Sequence, residues 1–296
     1  MRKINLSGAI PALVTPFNDD KSVDFSSLRN LIDFQIENGV SGLVLCGTTG
    51  EGATIKPEEY SEIIKTACER VKGRVPIIVG TGSNDTQKAI SLSQTAEKAG
   101  ADALLVVTPY YNKPTPNGLI EHYQKIAEAV GLPIILYNVP SRTGCNLTPE
   151  TVFKILERVP EVIAIKEASG NLNQVAEIIK RAEEDFTVLS GDDALTLPLI
   201  ALGAKGCISV VANEVPREFS ELCKLALEGN FERAREIHYR LLGLMRVNFI
   251  ETNPIPVKTA LSMMGMIKEN FRLPLCKITP KSKEVLKERL RELGLI

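Results

Sequence analysis

Glu161-Val162-Ile163-Ala164-Ile165-Lys166-Glu167-Ala168-Ser169-Gly170-Asn171 is the stretch on which the reading of the whole chain turns. Its apolar run has the length and branched composition of a strand buried on both faces, as in a parallel sheet covered by helices. Lys166 closes that run, and the polar and glycine residues after it predict a loop. Strand alternation puts Lys166 on the face of Ala164 and Val162, with small Ala164 leaving room beneath the lysine, and that face is the candidate barrel interior. Taken alone, Lys166 also fits a lysine at a strand end, its stem lying on apolar neighbours and its ammonium in water.

Working outward, short branched runs at 10–14, 42–46, 75–79, 103–107, 133–137, 162–166, 186–189 and 206–210 alternate with helical stretches. Eight such runs predict a closed (β/α)8 TIM barrel, an α/β fold, rather than an open doubly wound sheet. Helix starts are marked by Asp24, Lys56-Pro57-Glu58-Glu59, Asp85, Thr115-Pro116, Thr148-Pro149-Glu150 and Asn171, each a cap residue or first-turn proline ahead of apolar periodicity. Asn38-Gly39, Ala99-Gly100 and Leu202-Gly203 supply glycine stops. After Glu214 the strand rhythm ceases, and 214–227, 231–247, 256–264 and 282–293 read as helices. The expected division is a catalytic barrel over 1–225 and a small C-terminal helical region over 226–296.

The composition narrows the function classes. The chain has 296 residues, enough for one barrel-sized domain, and 44% of them are hydrophobic, which supports a sizeable core. Lys+Arg 35 against Asp+Glu 36 gives a formal charge of −1, with no basic surplus to draw the protein onto nucleic acid or an anionic membrane. Six scattered cysteines, several inside apolar runs, read as free thiols of a reducing compartment. The opening residues, Met1 to Ser7, turn polar too soon for a signal peptide, and no apolar stretch is long enough to cross a bilayer. A cytoplasmic protein is expected.

In a parallel barrel the reactive groups come from strand C-terminal ends and the loops that follow. That rule gathers distant segments onto one edge: Cys46-Gly47-Thr48-Thr49-Gly50-Glu51-Gly52, Thr108 to Pro114, Tyr137 to Gly144, Lys166, and Ser190-Gly191-Asp192-Asp193. Desolvation disfavours an ammonium, and a neutral amine attacks a carbonyl to form a Schiff base. Tyrosine and threonine hydroxyls can relay the protons that imine formation demands, and Arg142 can grip a carboxylate through two parallel hydrogen bonds. The segment from Gly47 to Gly52 lacks the ending of a P-loop and the spacing of a dinucleotide fingerprint. It reads either as a tight strand-to-helix turn or as backbone amides that receive a carboxylate beside Thr48 and Thr49.

Other chemistries find less support. Asp192, Asp193 and Glu214 follow strands seven and eight with no lysine beside them, which disfavours a phosphorylated substrate. With only two histidines, His122 and His238, there is no zinc cluster and no metal site is expected. Asp192-Asp193 reads more simply as a helix cap than as a ligand pair for a hard cation. Tyr110-Tyr111 has a plain reading as an aromatic interface patch. By elimination, imine formation at Lys166 is a better electrophile device than polarisation by a metal.

Taken together, Gly47-Thr48-Thr49-Gly50-Glu51, Tyr110-Tyr111-Asn112-Lys113-Pro114, Tyr137-Asn138-Val139-Pro140-Ser141-Arg142-Thr143-Gly144, Ile165-Lys166-Glu167 and Gly191-Asp192-Asp193 resemble the dihydrodipicolinate synthase family over nearly the whole chain. The resemblance implies a pyruvate-dependent class I aldolase fold, a lyase that condenses pyruvate with L-aspartate 4-semialdehyde on the route to diaminopimelate and lysine. It also implies no cofactor beyond a covalent imine between Lys166 and pyruvate, and a homotetramer built as a dimer of dimers. By the same resemblance Tyr137 is the central proton-transfer residue, Thr49 and Tyr111 complete its relay with Tyr111 crossing a subunit interface, and Thr48 holds the pyruvate carboxylate. Arg142 receives the aldehyde substrate, while Gly191 and Ile208 offer backbone contacts.

The same superfamily includes N-acetylneuraminate lyase and 2-keto-3-deoxy sugar-acid aldolases, which share the lysine and the tyrosine. The arginine in Ser141-Arg142-Thr143-Gly144 favours a compact aldehyde carrying its own carboxylate over a polyhydroxylated one. A catalytically silent barrel is the reading from another class. In lysine-inhibited relatives an allosteric pocket lies at the tight dimer interface, and its positions correspond here to Gly52, Ala53, Tyr60, Asn84, Lys88 and Tyr110. Lys88 stands where a carboxylate is expected and Tyr60 where a histidine is, so weak or absent inhibition by L-lysine is expected.

Overall fold

Eight short parallel strands close on themselves in the computed structural model, which describes residues 4–296. Met1, Arg2 and Lys3, with which the polar N-terminal reading begins, lie outside the described residues. The strands are β1 (Gly8–Pro11), β2 (Leu43–Leu45), β3 (Ile77–Gly80), β4 (Ala103–Val107), β5 (Ile134–Asn138), β6 (Val162–Glu167), β7 (Thr187–Ser190) and β8 (Gly206–Ser209). Their hydrogen-bonded order is β1-β8-β7-β6-β5-β4-β3-β2. The chain closes the ring between β1 and β2, where Ala12 bridges Val44 and the Leu13 amide donates to the Val44 carbonyl at 2.9 Å. The (β/α)8 barrel expected from the sequence is therefore the fold.

Strand boundaries differ from those expected for physical reasons. The first strand, expected at 10–14, pairs with β8 from Gly8 and then transfers to β2 at Ala12, as strand tilt in a closed barrel requires. In β6 the expected alternation fails at its start. The register jumps from Ile134↔Val162 to Ile135↔Ala164, so Ile163 is a bulge. Ala164 faces the barrel interior with Ile135, Tyr137 and Leu189, and Ile163 packs against that interior layer. Val162 lies instead in the layer between sheet and helices, not on the lysine's face.

The caps form as their chemistry directs. Asp24 accepts from the Ser27 amide, Asp85 from Gln87, Thr115 from Gly118, Thr148 from Thr151 and Asn171 from Gln174. Each such cap stabilises its helix by about 1 kcal/mol. They fix where each helix leaves the C-terminal rim, and so where each rim loop must end.

Beyond the barrel, helices Phe231–Val247, Ile255–Met263 and Pro280–Glu292 follow the last barrel helix, Pro216–Leu227. Leu241, Leu244, Leu286 and Leu290 share one core with Phe219 and Leu222 of that barrel helix. Val257 and Leu261 enter the main core with Leu13 and Phe17. The C-terminal helices thus pack on the outer helices that flank β7 and β8 and bring the segment before Ile255 to the barrel's mouth. All six cysteines are unpaired.

Candidate active site

Lys166 and Tyr137 are register partners on β6 and β5, which puts both side chains on the same face of the sheet. Lys166 is buried, and its Nζ lies 4.3 Å from the centroid of the Tyr137 ring. Gly191, after β7, leaves the lysine its space. A Cβ built there would sit 2.7 Å from the Ala168 Cβ and 3.0 Å from the Lys166 Cε. Ile208 is fully buried on β8 in the interior layer beside Ala164 and Leu189.

Strand β6 runs one residue further than expected, because Glu167 is not a loop residue. Its buried carboxylate accepts from Asn138 Nδ2 at 2.5 Å, Gln174 Nε2 at 2.9 Å, and the Ser169 amide and hydroxyl at 3.0 and 2.6 Å. Four donors satisfy a carboxylate that would otherwise be costly to bury, and they lock the rim positions that follow Tyr137 and Lys166.

The loop after β2 is held just as firmly. Cys46 and Glu51 both adopt left-handed backbone, with φ of 53° each, and Gly52 is needed because a Cβ there would meet the Cys46 carbonyl oxygen at 2.1 Å. The Glu51 carboxylate pairs with Lys258 Nζ, and both side chains are fully buried. It also accepts from the Arg272 amide at 3.1 Å. Burial pushes the Lys258 ammonium down to about 8, and Glu51 opposes that shift. The faces of Phe17 and Phe271 flank Lys258 at 4.2 and 5.2 Å. Removing one member of such a pair costs about 3–5 kcal/mol, because the other charge is left buried and alone.

That loop presents Thr49 buried and Thr48 exposed. Thr49 Oγ1 accepts from Asn253 Nδ2 at 3.0 Å, and the Asn253 carbonyl in turn accepts from Arg142 Nη2 at 3.4 Å. Asn253 therefore joins the β2 loop to the β5 loop. Tyr111 is not brought to this chain's own site. It is 89% exposed, with φ of 73°, and Tyr110 beside it is 37% exposed.

Asp192 caps the turn after β7 by accepting from the Ala194 amide at 2.9 Å. Asp193 does something the sequence did not reveal: buried, it accepts from the Val210 and Val211 amides at 3.1 and 2.8 Å and so clamps the end of β8. Among the other sequence candidates, Tyr60 is buried and donates to the Gly80 carbonyl at 2.9 Å, whereas Lys88 and Ala53 are exposed. Asn84 uses its carbonyl to accept from Asn112 Nδ2 at 2.8 Å.

Asn253, Glu167 and the Glu51–Lys258 pair were missed as site residues in the sequence. A lone lysine inside Pro256-Val257-Lys258-Thr259-Ala260-Leu261 was the one visible signal, since an unpaired cation has no place in a buried run.

Residues 5–293 match the Dihydrodipicolinate synthetase family. A 4-hydroxy-tetrahydrodipicolinate synthase of Methanocaldococcus jannaschii is 56% identical over 289 residues, covering 98% of this chain and 99% of its own. The crystal structure of dihydrodipicolinate synthase from Aquifex aeolicus superposes with a TM-score of 0.96 at 50% identity, covering 98% of this chain and 99% of that one. A monomeric dihydrodipicolinate synthase variant also gives 0.96, at 44% identity and 98% coverage of both chains.

Proposed function

From the premise that the chain belongs to the dihydrodipicolinate synthetase family, we propose that it condenses pyruvate with L-aspartate 4-semialdehyde through an imine on Lys166. The enzyme is a lyase of lysine and diaminopimelate biosynthesis, and its product is 4-hydroxy-tetrahydrodipicolinate. The observation that carries the site assignment is the buried Lys166 beside the Tyr137 ring at the mouth of a closed parallel barrel.

In this reading the neutral Lys166 amine adds to the pyruvate ketone, and loss of water leaves the imine. Tyr137 and Thr49 carry the protons for the addition and the dehydration. Thr48 and its loop amides hold the pyruvate carboxylate, with backbone contacts at Gly191 and Ile208. Loss of a methyl proton converts the imine to an enamine, whose carbon attacks the aldehyde. Arg142 holds the carboxylate of that aldehyde. Attack by the substrate's own amine on the imine carbon then closes the ring and frees Lys166. No cofactor is required, because the protonated imine is the electron sink.

Tyr111 completes the relay from a second copy of the chain in a homotetramer built as a dimer of dimers, a reading supported by its exposure on a fixed left-handed backbone. Residues 1–225 act as the catalytic barrel, and the helical region 226–296 lends it Asn253 and Lys258. The enzyme works in the cytoplasm, without nucleic-acid or membrane partners; among the described residues no helix is long and apolar enough to cross a membrane.

The test is borohydride reduction with pyruvate, followed by peptide mass spectrometry. The adduct is expected on Lys166 and absent from Lys166→Ala, and an adduct on another lysine refutes the assignment.

A further inference from the structure

The geometry points to Asp193 as a positioning residue: we infer that its buried carboxylate stands in for a missing strand carbonyl between β7 and β8, and so keeps the Ile208 carbonyl free for the adduct that forms on Lys166. The inference rests on the function proposed above, in which Lys166 forms an imine with pyruvate and Ile208 contacts it through its backbone.

The ladder between β7 and β8 has one register pair, Ser190↔Cys207, whereas each other ladder of the sheet has at least three. Past that pair β7 ends and β8 runs on. Successive carbonyls of a strand point to opposite neighbours, and across one peptide unit the C=O and the N–H point opposite ways. The Ser209 carbonyl accepts from the Ala12 amide at 2.8 Å on the β1 side, so the Ile208 carbonyl and the Val210 amide both turn to the β7 side. A longer β7 would offer Val210 a carbonyl and Ile208 an amide.

Only the first of those two partners is replaced. Asp193 accepts from the Val210 amide at 3.1 Å and from the Val211 amide at 2.8 Å, and at 2% exposure it does so without competition from water. The two amides that follow Ser190 are engaged elsewhere: Gly191 donates to the Glu167 carbonyl at 2.7 Å and Asp192 to Ser190 Oγ at 3.2 Å. Neither is left for the Ile208 carbonyl. A carbonyl oxygen only accepts, and free pyruvate has no hydrogen on oxygen or nitrogen to give it. The hydroxyl formed when Lys166 adds to the ketone has one, and so does the N–H of the protonated imine. The free carbonyl therefore serves the adduct rather than the entering pyruvate. It points toward β7, whose Leu189 is the register partner of Lys166.

Asp193→Ala removes the acceptor and lets the end of β8 shift. Enzyme and pyruvate are mixed, quenched into borohydride at timed intervals, and the reduced adduct on Lys166 is measured by mass spectrometry. The expected result is a fall of about tenfold or more in the saturating rate of adduct formation, with the half-saturating pyruvate concentration changed by less than about threefold. Asp193→Asn keeps a carbonyl oxygen that can accept from both amides, and its rate is expected to stay within about threefold of the wild type. Ser190→Ala works from the other side: it frees the Asp192 amide to take the Ile208 carbonyl, as a longer ladder would. It is expected to slow adduct formation by about tenfold with Asp193 still in place.

An unchanged saturating rate in Asp193→Ala overturns the inference, and so does a change confined to the half-saturating concentration, because Asp193 would then shape the entry of pyruvate instead. Asp193→Asn as slow as Asp193→Ala also overturns it, since the charge and not the clamp would be what matters. A folding defect lowers the amount of enzyme that traps pyruvate, not the rate at which the folded part does so. If Asp193→Ala does not fold, Ser190→Ala decides, and the wild-type rate in that variant overturns the inference. Pyruvate trapping on wild-type Lys166 tells the two readings apart: its absence refutes the proposed function, whereas normal trapping with unaltered variant kinetics refutes only the role of Asp193.

Discussion

Lys166 Nζ lies over the Tyr137 ring, 4.3 Å from its centroid, because the two residues are register partners across β5 and β6. The contact uses the ring, not the hydroxyl, so the two functions of Tyr137 can be separated. Tyr137→Phe keeps the aromatic face against the lysine stem and removes only the proton carrier. It is expected to fold normally and to lower kcat by about 10²–10⁴-fold, the usual range for a general acid–base group. Steady-state rates with both substrates, beside far-ultraviolet circular dichroism, check this.

Gly191→Ala should be far more damaging than a methyl group normally is. The added Cβ would lie 2.7 Å from the Ala168 Cβ and 3.0 Å from the Lys166 Cε, so the lysine stem must move aside. Misplacing a reacting atom by about 1 Å costs on the order of 10²-fold. Ala168→Gly in the same chain opens the tighter of the two contacts and should recover part of the loss. The measured quantities are the single-turnover rate of imine formation and kcat for the single and double variants.

Much of this architecture was legible because it rests on local physics. The apolar runs, the caps at Asp24, Asp85 and Asn171, and the glycine stops specify strand and helix one at a time, and eight repeats of that unit close a barrel. Lys166 was legible for the same reason: it closes an apolar run. Val162 was misread because a period of two cannot register the extra residue at Ile163, whose bulge exists only against β5. Glu167 looked like loop because its four donors come from Asn138, Ser169 and Gln174, and Asn138 lies on a different strand. Asn253 and Lys258 were out of reach of any local reading, since their partners Thr49 and Glu51 lie 204 and 207 residues away.

L-Lysine is expected to be a weak inhibitor or none. Lys88 is exposed near the start of helix Thr86–Ala99, where it would repel the effector's ammonium, and the Tyr60 hydroxyl is already committed to the Gly80 carbonyl at 2.9 Å inside the core. Lys88→Glu replaces repulsion with attraction and should tighten lysine binding by about fivefold, the effect of roughly 1 kcal/mol from an exposed pair. Titration calorimetry with both proteins checks it. Strong saturable binding by the unmodified protein would remove Lys88 as the cause.

Stability should depend on pH through Glu214. Its carboxyl is fully buried, and desolvation holds it well above the ordinary value of 4.5, against the opposing bond from Asn248. Asn248 Nδ2 donates to Glu214 Oε2 at 2.6 Å, while Glu214 Oε1 and Asn248 Oδ1 have no partner among the described residues. Below 4.5 the carboxyl is neutral in both folded and unfolded chains and costs nothing through titration. As pH rises past 4.5 the unfolded chain releases the proton that the folded chain keeps, so this group's contribution falls with pH until the folded carboxyl itself ionises. Glu214→Gln removes the titration, while its carbonyl keeps the bond from Asn248 Nδ2. The substitution is therefore expected to stabilise the protein near neutral pH by removing the cost of keeping that proton, up to roughly 1.4 kcal/mol per pH unit above 4.5 while the folded carboxyl stays neutral. The gain should shrink toward acid, where the unfolded chain keeps its proton as well. Urea unfolding of both proteins from about pH 4 to pH 8 measures the difference, and a gain that is the same at every pH would show that Glu214 does not titrate across this range.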